Sequence, residues 1–299
     1  MKIGIYYAFW EQQWQADYRY YIAKAARLGF DILEIACTPL PAYSRQQLTE
    51  IRDLARDCGL TLTAGHGPSA GQNLGSPDPA IRKQAVNFYT DLLQRLQILD
   101  IHILGGGIYS YWPADYSQPV DKAGDWARSV AGIREIAPVA ANCGVTLCLE
   151  VLNRFEGYLL NTAEEGLAFL QEVNHPAAGL MLDTFHMNIE EDDLCAAIRL
   201  AGRRLSHFHI GECNRKLPGT GRMPWQEIGR SLSEIGYQGA AVMEPFIRMG
   251  GQVGSDIKVW RDLSNRADEE ELDRAAAASL QDMRRLLGDQ YLESPPYVD

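Results

Sequence analysis

The chain has 299 residues, 46% of them apolar, and a formal net charge of -11. That length supports a large hydrophobic core, either in one α/β barrel or in two ordinary domains. The acidic balance argues against a partner recognised through its phosphate backbone, because nucleic-acid-binding proteins present a basic surface.

The sequence shows no export or membrane signal. The opening residues, "MKIGIYYAFW", have the pattern of a strand and contain no apolar signal core after the lysine. No segment approaches the roughly 20 apolar residues that a membrane helix needs. The six cysteines are scattered without a C-x-x-C pair, which favours small buried thiols. We therefore expect a reduced, cytoplasmic protein with no membrane partner.

Short apolar segments alternate along the chain with longer amphipathic ones. The segment "SRQQLTEIRDLARDCG" has a serine cap and a closing glycine, and "SPDPAIRKQAVNFYTDLLQRLQIL" has proline in its first turn, as helices do. The predicted strands are 2–7, 31–36, 60–65, 101–106, 145–150, 178–183, 204–210 and 239–244.

Strands that are nearly continuous in apolar residues, each followed by a helix, indicate a parallel sheet covered by helices. Eight such units predict a single (β/α)8 barrel spanning 1–299, with a C-terminal helix at about 268–287 that closes the barrel. No G-x-G-x-x-G follows the first strand, so a dinucleotide-binding sheet is disfavoured.

Four consecutive predicted strands end in a polar residue: Glu150, Asp183, His209 and Glu244. Taken singly, a strand-end acid is commonly a helix cap or an ion-pair partner, and a single histidine a hydrogen-bonded core residue. In a (β/α)8 barrel, however, all four reach the rim where active sites lie, and three crowded carboxylates repel unless protonated or bound to a cation. The set predicts a site for Mn²⁺, with Co²⁺ or Mg²⁺ as alternatives.

Further candidates lie in the loops that follow the strands, where substrate contacts concentrate. A sugar with several hydroxyl groups would suit the polar ones, whose alternatives are a surface ion pair for the arginine and a local cap or turn for the others. The aromatic ones would form an apolar wall against the sugar, or else pack in the core. The polar candidates are Glu156, His186 and Arg215, and the aromatic ones are Tyr6, Trp14 and Trp112.

These motifs resemble the ketose 3-epimerases, the group of D-tagatose 3-epimerase, and most closely the D-psicose (D-allulose) branch. The resemblance extends from "GIYYAFWEQQW" to "GSDIKVWRDLS". Its most specific parts are "CLEVLNRFEG", "MLDTFHMNIEEDD", "HFHIGECNRKLPGTGRMPW" and "MEPF". It implies a metal-dependent barrel enzyme that acts on free ketoses as a homodimer or homotetramer.

The resemblance also implies roles for individual residues. The metal ligands correspond to the four strand-end residues, and the sugar contacts to Glu156, His186, Arg215 and the three aromatic residues. Gly67 in "GHGPS" joins that pocket by resemblance alone. His66, Gly107 and Tyr109 depart from the residues usual in the family, at positions where it contacts the far end of the sugar. Substrate preference is the property these departures affect.

The implied reaction inverts C3 of a ketose. A metal bound to O2 and O3 would spread the negative charge of an enediolate intermediate. Inversion requires a base on each face of the sugar, which assigns Glu150 and Glu244 as the catalytic residues. No organic cofactor is needed.

Three alternatives stay open on the sequence. An aldose–ketose isomerase on the same barrel commonly recruits a second metal or a lysine. An endonuclease-like phosphoesterase would show more histidine and aspartate ligands and a basic face, whereas this chain has six histidines in total. A non-catalytic sugar-binding protein would have no use for carboxylates on both faces of its ligand.

Overall fold

The computed structural model describes residues 1–288, and in it eight parallel strands form a closed barrel. Each strand pairs with the next along the chain, and β1 also pairs with β8. The predicted (β/α)8 fold is therefore confirmed, with strand ends differing from prediction by one or two residues. The strands are β1 Lys2–Tyr6, β2 Ile32–Ala36, β3 Thr61–Gly65, β4 Ile103–Gly106, β5 Thr146–Glu150, β6 Ala178–Asp183, β7 Leu205–Ile210 and β8 Ala240–Met243.

Helices cover the outside of the barrel. The predicted caps of α2 are present: Ser44 forms a capping box with Gln47 at its start, and Gly59, with φ 69°, follows its end. The helices are α1 Tyr18–Leu28, α2 Arg45–Asp57, α3 Pro79–Ile98, α4 Lys122–Cys143, α5 Ala163–Val173, α6 Thr184–Glu190, α7 Leu194–Ala201, α8 Trp225–Glu234, α9 Gly251–Asp256 and α10 Glu269–Leu286.

The last described helix, α10, packs beside α1 and returns the chain to the first strand. The buried Lys24 on α1 donates to Asp273 on α10 at 2.9 Å and also contacts Glu269. This ion pair ties the two ends of the described chain together, because both partners sit on helices that flank β1. Residues 289–299, which the predicted single domain includes, lie outside the described residues.

The cysteines are all free, but only Cys37, Cys143 and Cys148 are buried. The expectation of buried thiols thus holds for half of them, while Cys58 is exposed and the other two are partly exposed. Within residues 1–288, no helix has the length and apolar character needed to cross a membrane.

Backbone packing at the ends of β3 and β4 shapes the barrel mouth. The amide of His66 donates to the carbonyl of Gly105 at 3.0 Å, which extends the strand pairing to the rim. Gly106 has φ 118°, and a Cβ there would lie 2.1 Å from the carbonyl oxygen of His66. Only glycine permits this approach, so the two strands stay in contact up to the mouth.

Candidate active site

The C-terminal mouth of the barrel contains a cavity of about 290 Å³. Strand order explains its polar lining, because parallel strands all deliver their last residues to the same rim. Of the predicted polar residues, Glu150, Glu156, His186, His209, Arg215 and Glu244 line the cavity. Asp183 is 2% exposed and lies beneath them.

The four predicted metal ligands converge around Asp183. Potential ligand atoms of Asp183, His209 and Glu244 lie within 4.8 Å of one another, and so do those of Glu150, Asp183 and His186. The Nδ1 atom of His209 is 3.5 Å from Oε1 of Glu244. Asp183 also caps α6, because its Oδ1 accepts from the amide of Phe185 at 2.7 Å. The helix-cap and ligand interpretations of this acid are therefore compatible.

The electrostatics of this cluster fit a cation. Burial, reinforced by the neighbouring Glu244, raises the pKa of Glu150 well above its usual value. Several carboxylates held this close out of water cannot all stay ionised without positive charge. Nδ1 of His209 is buried and has no hydrogen-bond partner among the described residues, so this nitrogen is available as a metal ligand beside the carboxylates. Three carboxylates and one imidazole suit a divalent ion.

A second buried group orients His209. Glu34 on β2 reaches across the barrel interior, and its two oxygens lie 2.6 Å from Nε2 of His209 and 2.7 Å from Nε2 of His207. Burial by itself would raise the pKa of Glu34, but His209 and His207 outweigh it and lower that pKa. Burial would likewise lower the pKa of His209, but Glu34 and Glu244 raise it well above its usual value.

Sequence analysis missed both Glu34 and His207. A signal was present, since Glu34 interrupts the apolar strand "DILEIA" and His207 lies two residues before His209, on the same face of β7. A carboxylate inside a buried strand requires a partner. The partner, however, is 173 residues away along the chain, and only closure of the barrel brings it near.

The ring of His186 is held between its neighbours. The backbone amide of Asn153 donates to Nδ1 at 3.2 Å, and Nη2 of Arg215 lies 3.3 Å from Nε2. Nε2 also lies 3.7 Å from Glu150 and 4.0 Å from Asp183. Burial lowers the pKa of His186. His186 therefore connects the acidic cluster to Arg215 at the cavity wall.

Arg215 projects a buried cation into the same cavity. Its backbone has φ 59°, a conformation uncommon for residues other than glycine, and its guanidinium lies 4.3 Å from the ring centre of Phe185. It approaches Glu156 at 3.5 Å and Glu244 at 3.7 Å. Nε and Nη1 are buried without a hydrogen-bond partner in the described chain, so donors remain for a ligand.

Glu156 is held as an anion. Its carboxylate accepts from Nε1 of Trp112 at 3.0 Å and from the side chain of Asn153 at 3.2 Å. Burial alone would raise its pKa, but Arg215 and the hydrogen bonds outweigh burial and lower the pKa to about 2. Glu156 is thus a fixed hydrogen-bond acceptor at the cavity wall, at a position predicted from the sequence as a sugar contact.

Aromatic rings form the other side of the cavity. The rings of Trp14 and Trp112 meet edge to face at 6.3 Å, and Nε1 of Trp14 donates to Asp256 at 2.7 Å. Tyr6 also lines the cavity and packs against Phe246 at 6.0 Å. These rings line the cavity and also pack against one another, so the predicted aromatic wall and the alternative of rim packing both apply to them. Asp256 and Phe246 were not predicted as site residues, although they lie in the motifs "GSDIKVWRDLS" and "MEPF" that carry the resemblance.

Two positions that depart from the family pattern, His66 and Gly107, lie at the cavity beside Gly67, which matches the pattern. Gly67 and Gly107 line the cavity, and a Cβ at Gly67 would lie 3.0 Å from Trp112. His66 also lines it, but its imidazole stacks on Phe88 of α3 at 5.3 Å, and both ring nitrogens are buried without a hydrogen-bond partner among the described residues. Burial lowers the pKa of His66 to about 4. The side chain of Gln72 opposes this shift, but it forms no hydrogen bond of normal geometry with the ring.

The expectation for Tyr109 was wrong. Its side chain is 1% exposed, does not line the cavity, and donates from its hydroxyl to the carbonyl of Glu150 at 2.8 Å. Tyr109 therefore supports the strand end that carries Glu150 instead of meeting the far end of a sugar. The motif "GGGIYSYW" by itself could not show that this ring turns away from the mouth.

Comparison with known proteins agrees with this geometry. Residues 22–277 match the family model of the xylose isomerase-like TIM barrel. A D-psicose 3-epimerase from Ruminiclostridium cellulolyticum is 64% identical over 287 residues, which cover 96% of this chain and 98% of that protein. The chain belongs to the ketose 3-epimerase family. This epimerase is an isomerase that acts on sugars.

A second relative and a solved structure are also similar to this chain over almost their whole length. A D-psicose 3-epimerase from Agrobacterium fabrum is 54% identical over 288 residues, covering 96% of this chain and all of that protein. The crystal structure of the D-psicose 3-epimerase from Clostridium cellulolyticum H10 with D-tagatose has a TM-score of 0.95 at 64% identity. That match covers 96% of this chain and 99% of the other.

Proposed function

We propose that the epimerase inverts free ketoses at C3 with the help of one divalent cation, and that D-psicose and D-fructose are its main pair. The observation that carries the proposal is the convergence of three carboxylates, those of Glu150 and Asp183 buried and that of Glu244 partly buried, with an imidazole nitrogen that has no partner among the described residues, at a sugar-sized cavity. The relatives named D-psicose 3-epimerase support the substrate. Interconversion of D-tagatose with D-sorbose, or of ribulose with xylulose, would use the same site.

The cation would be held by Glu150, Asp183, Glu244 and Nδ1 of His209. Mn²⁺ or Co²⁺ suits this donor set best, and Mg²⁺ is a weaker match. When bound, the ion supplies a Lewis acid that stabilises negative charge on the sugar oxygens while the proton at C3 is absent. Asp183 has no access to the cavity, so its role is confined to holding the ion.

Proton transfer is assigned to Glu150 and Glu244. They reach the mouth from β5 and from the residue after β8, strands that are separated by β6 and β7 on one side of the closed barrel. A flat intermediate bound between them would present one face to each carboxylate. One would take the proton from C3 and the other would return a proton to the opposite face, and the roles would exchange in the reverse direction.

The neighbouring polar residues would orient the sugar. His186 and the free donors of Arg215 line the cavity and would stabilise negative charge on an oxygen next to C3. Glu156, ionised and anchored by Trp112, would accept from the hydroxyl on C1. The aromatic wall would exclude water from the far end of the chain of carbons.

Assembly and location extend the proposal. The family resemblance supports a homodimer or homotetramer, and the composition supports the cytoplasm. Size-exclusion chromatography with light scattering measures the assembly directly. A monomer at micromolar concentration that retains full activity would contradict the first of these two statements.

Turnover in D2O tests the two-base reaction. The product should carry deuterium at C3 from the first turnover, with little at C1, because the proton taken by one carboxylate differs from the proton returned by the other. Replacing Glu150 or Glu244 by Gln removes a base and should reduce epimerisation by several orders of magnitude. Each variant should still exchange the epimer whose C3–H faces the remaining carboxylate, provided that metal stays bound.

The competing reaction is aldose–ketose isomerisation on the same barrel. It would place solvent deuterium at C1 or C2 instead of C3, and the isomeric aldose would accumulate. Product from wild-type enzyme with C3 still fully protonated would contradict two exchanging bases. An assay by mass spectrometry and proton NMR of the isolated sugars separates all three outcomes.

A further inference from the structure

Glu34, which does not line the cavity, makes three side-chain hydrogen bonds in the barrel interior. Oε1 accepts from Nε2 of His209 at 2.6 Å, and Oε2 accepts from Nε2 of His207 at 2.7 Å and from the hydroxyl of Thr63 at 2.8 Å. Glu34 and His207 have no exposed surface, and His209 and Thr63 are each 2% exposed. A buried charge with this many partners has a cost that the fold must offset.

These three residues could be taken for a second metal site, because Glu34, His207 and His209 offer ligand atoms within 4.8 Å. The contact distances argue otherwise. Both imidazole nitrogens are at hydrogen-bond distance from the carboxylate oxygens, so each pair is already joined by a proton and no space is left between them. The group is therefore a hydrogen-bonded chain, and its effect has to be transmitted through His209.

The direction of that effect follows from the two nitrogens of His209. Because Nε2 donates to Glu34, the other nitrogen, Nδ1, is the one that turns toward Asp183 and Glu244, 3.5 Å from the latter. Nδ1 is also the nitrogen without a hydrogen-bond partner in the described part of the chain. A carboxylate that accepts the second N–H of a histidine fixes the orientation of the ring and makes the other nitrogen a better ligand.

We infer that Glu34 is a positioning residue that holds His209 with Nδ1 turned to the metal, and that His207 and Thr63 fix the carboxylate from its other oxygen. The inference rests on the proposed metal site. It explains why the charged Glu34, whose burial costs free energy, occupies the barrel interior. His207 and Thr63 matter because a carboxylate gripped at only one oxygen could rotate and release the ring.

Metal affinity distinguishes positioning from simple core filling. In Glu34→Met both acceptors are lost, and Mn²⁺ binding, followed by the EPR signal of the free ion, should weaken about 10- to 100-fold. In Glu34→Gln one acceptor oxygen and the shape are kept, so the loss should be smaller than in Glu34→Met. Thr63→Val removes one of the two bonds to the oxygen that does not face His209 and leaves His207 to hold it, so its loss should be smaller than in Glu34→Met. The matched control is Ser231→Ala on α8, which removes a buried hydroxyl that donates to the carbonyl of Glu227 at 2.9 Å and should bind Mn²⁺ as wild type does.

A second measurement needs no variant. Protein labelled with ¹⁵N-histidine and loaded with Zn²⁺, a diamagnetic ion, should show His209 protonated at Nε2 and ligated through Nδ1 in long-range ¹H–¹⁵N spectra. A proton on Nδ1, or ligation through Nε2, would overturn the inference even if the Glu34 variants fail to fold. If Glu34 only filled the core, its variants would melt at a lower temperature without metal, but their His209 spectrum with Zn²⁺ would match that of wild type.

The outcomes separate this inference from the proposed function. Wild-type protein that binds neither Mn²⁺ nor Zn²⁺ would contradict the metal site itself. Wild-type protein that binds both, together with folded Glu34→Met of unchanged Mn²⁺ affinity and unchanged His209 spectrum, would contradict only the role of Glu34. Restored affinity in Glu34→Asp is not expected, because the shorter side chain cannot reach both imidazoles across the barrel.

Discussion

Replacing Arg215 by Ala separates the sugar-binding residues from the metal ligands. The guanidinium is buried, lies 3.5 Å from Glu156 and 3.7 Å from Glu244, and has two nitrogen atoms free to bind substrate. Hydrogen bonds to charged groups contribute about 1.5–3 kcal/mol each. We expect kcat/KM to fall on the order of 100-fold, about 3 kcal/mol, if one or two such bonds form in the transition state.

The same substitution should leave metal binding intact. Removing a positive charge 3.7 Å from an oxygen of Glu244 makes the cluster more negative, so affinity for a divalent cation should stay constant or rise. In Asp183→Ala the cluster loses the residue that both groups of candidate ligands share, and metal should be lost. Metal content after gel filtration, measured by elemental analysis alongside ketose kinetics, gives both quantities from one preparation.

Loss of Arg215 should also alter the pH profile. The pKa of Glu156 is about 2 because Arg215 and its hydrogen bonds outweigh burial, which by itself raises that pKa. Without Arg215, burial should raise the pKa of Glu156. Protonation of Glu156 should then weaken sugar binding at a higher pH than in wild type. Arg199→Ala, which removes a half-exposed arginine paired with Glu234, is the matched control. Equal loss of metal from the Arg215 and Asp183 variants would refute the division of roles.

Two further predictions concern the metal and His66. Exhaustive chelation should abolish epimerisation and lower the melting temperature, because carboxylates that cluster without a cation repel one another. Addition of Mn²⁺ or Co²⁺ should restore both the activity and the melting temperature. Full activity in a preparation shown to be free of metal would contradict this prediction. His66→Ile should stabilise the fold by about 1 kcal/mol, or about 2 °C, since removing two buried nitrogens without partners outweighs the lost stack on Phe88. Because the His66 ring faces α3, the ratio of kcat/KM between six-carbon ketoses should change by less than about tenfold. A fall in melting temperature would show that the ring nitrogens of His66 do have hydrogen-bond partners.

The sequence by itself determined the barrel and the composition of its rim. Apolar strands alternating with capped helices specify (β/α)8 topology, because the pattern is local and repeats eight times. The same topology places Glu150, Asp183, His209 and Glu244 at one mouth, since the last residue of every parallel strand points to the same end. Motif resemblance then indicated the reaction, which spacing alone could not distinguish from that of an isomerase.

Only the tertiary structure decided which atoms of those residues are available. The contact of Glu34 with His207 and His209 joins β2 to β7 across the interior, and no local pattern encodes a distance across a closed barrel. The orientation of the His186 ring depends on a backbone amide 33 residues away, and the direction of the His66 and Tyr109 rings depends on how strands turn at the rim. A strand pattern tells which residues reach the mouth, but the orientation of each side chain there follows from packing against neighbours that the sequence places far apart.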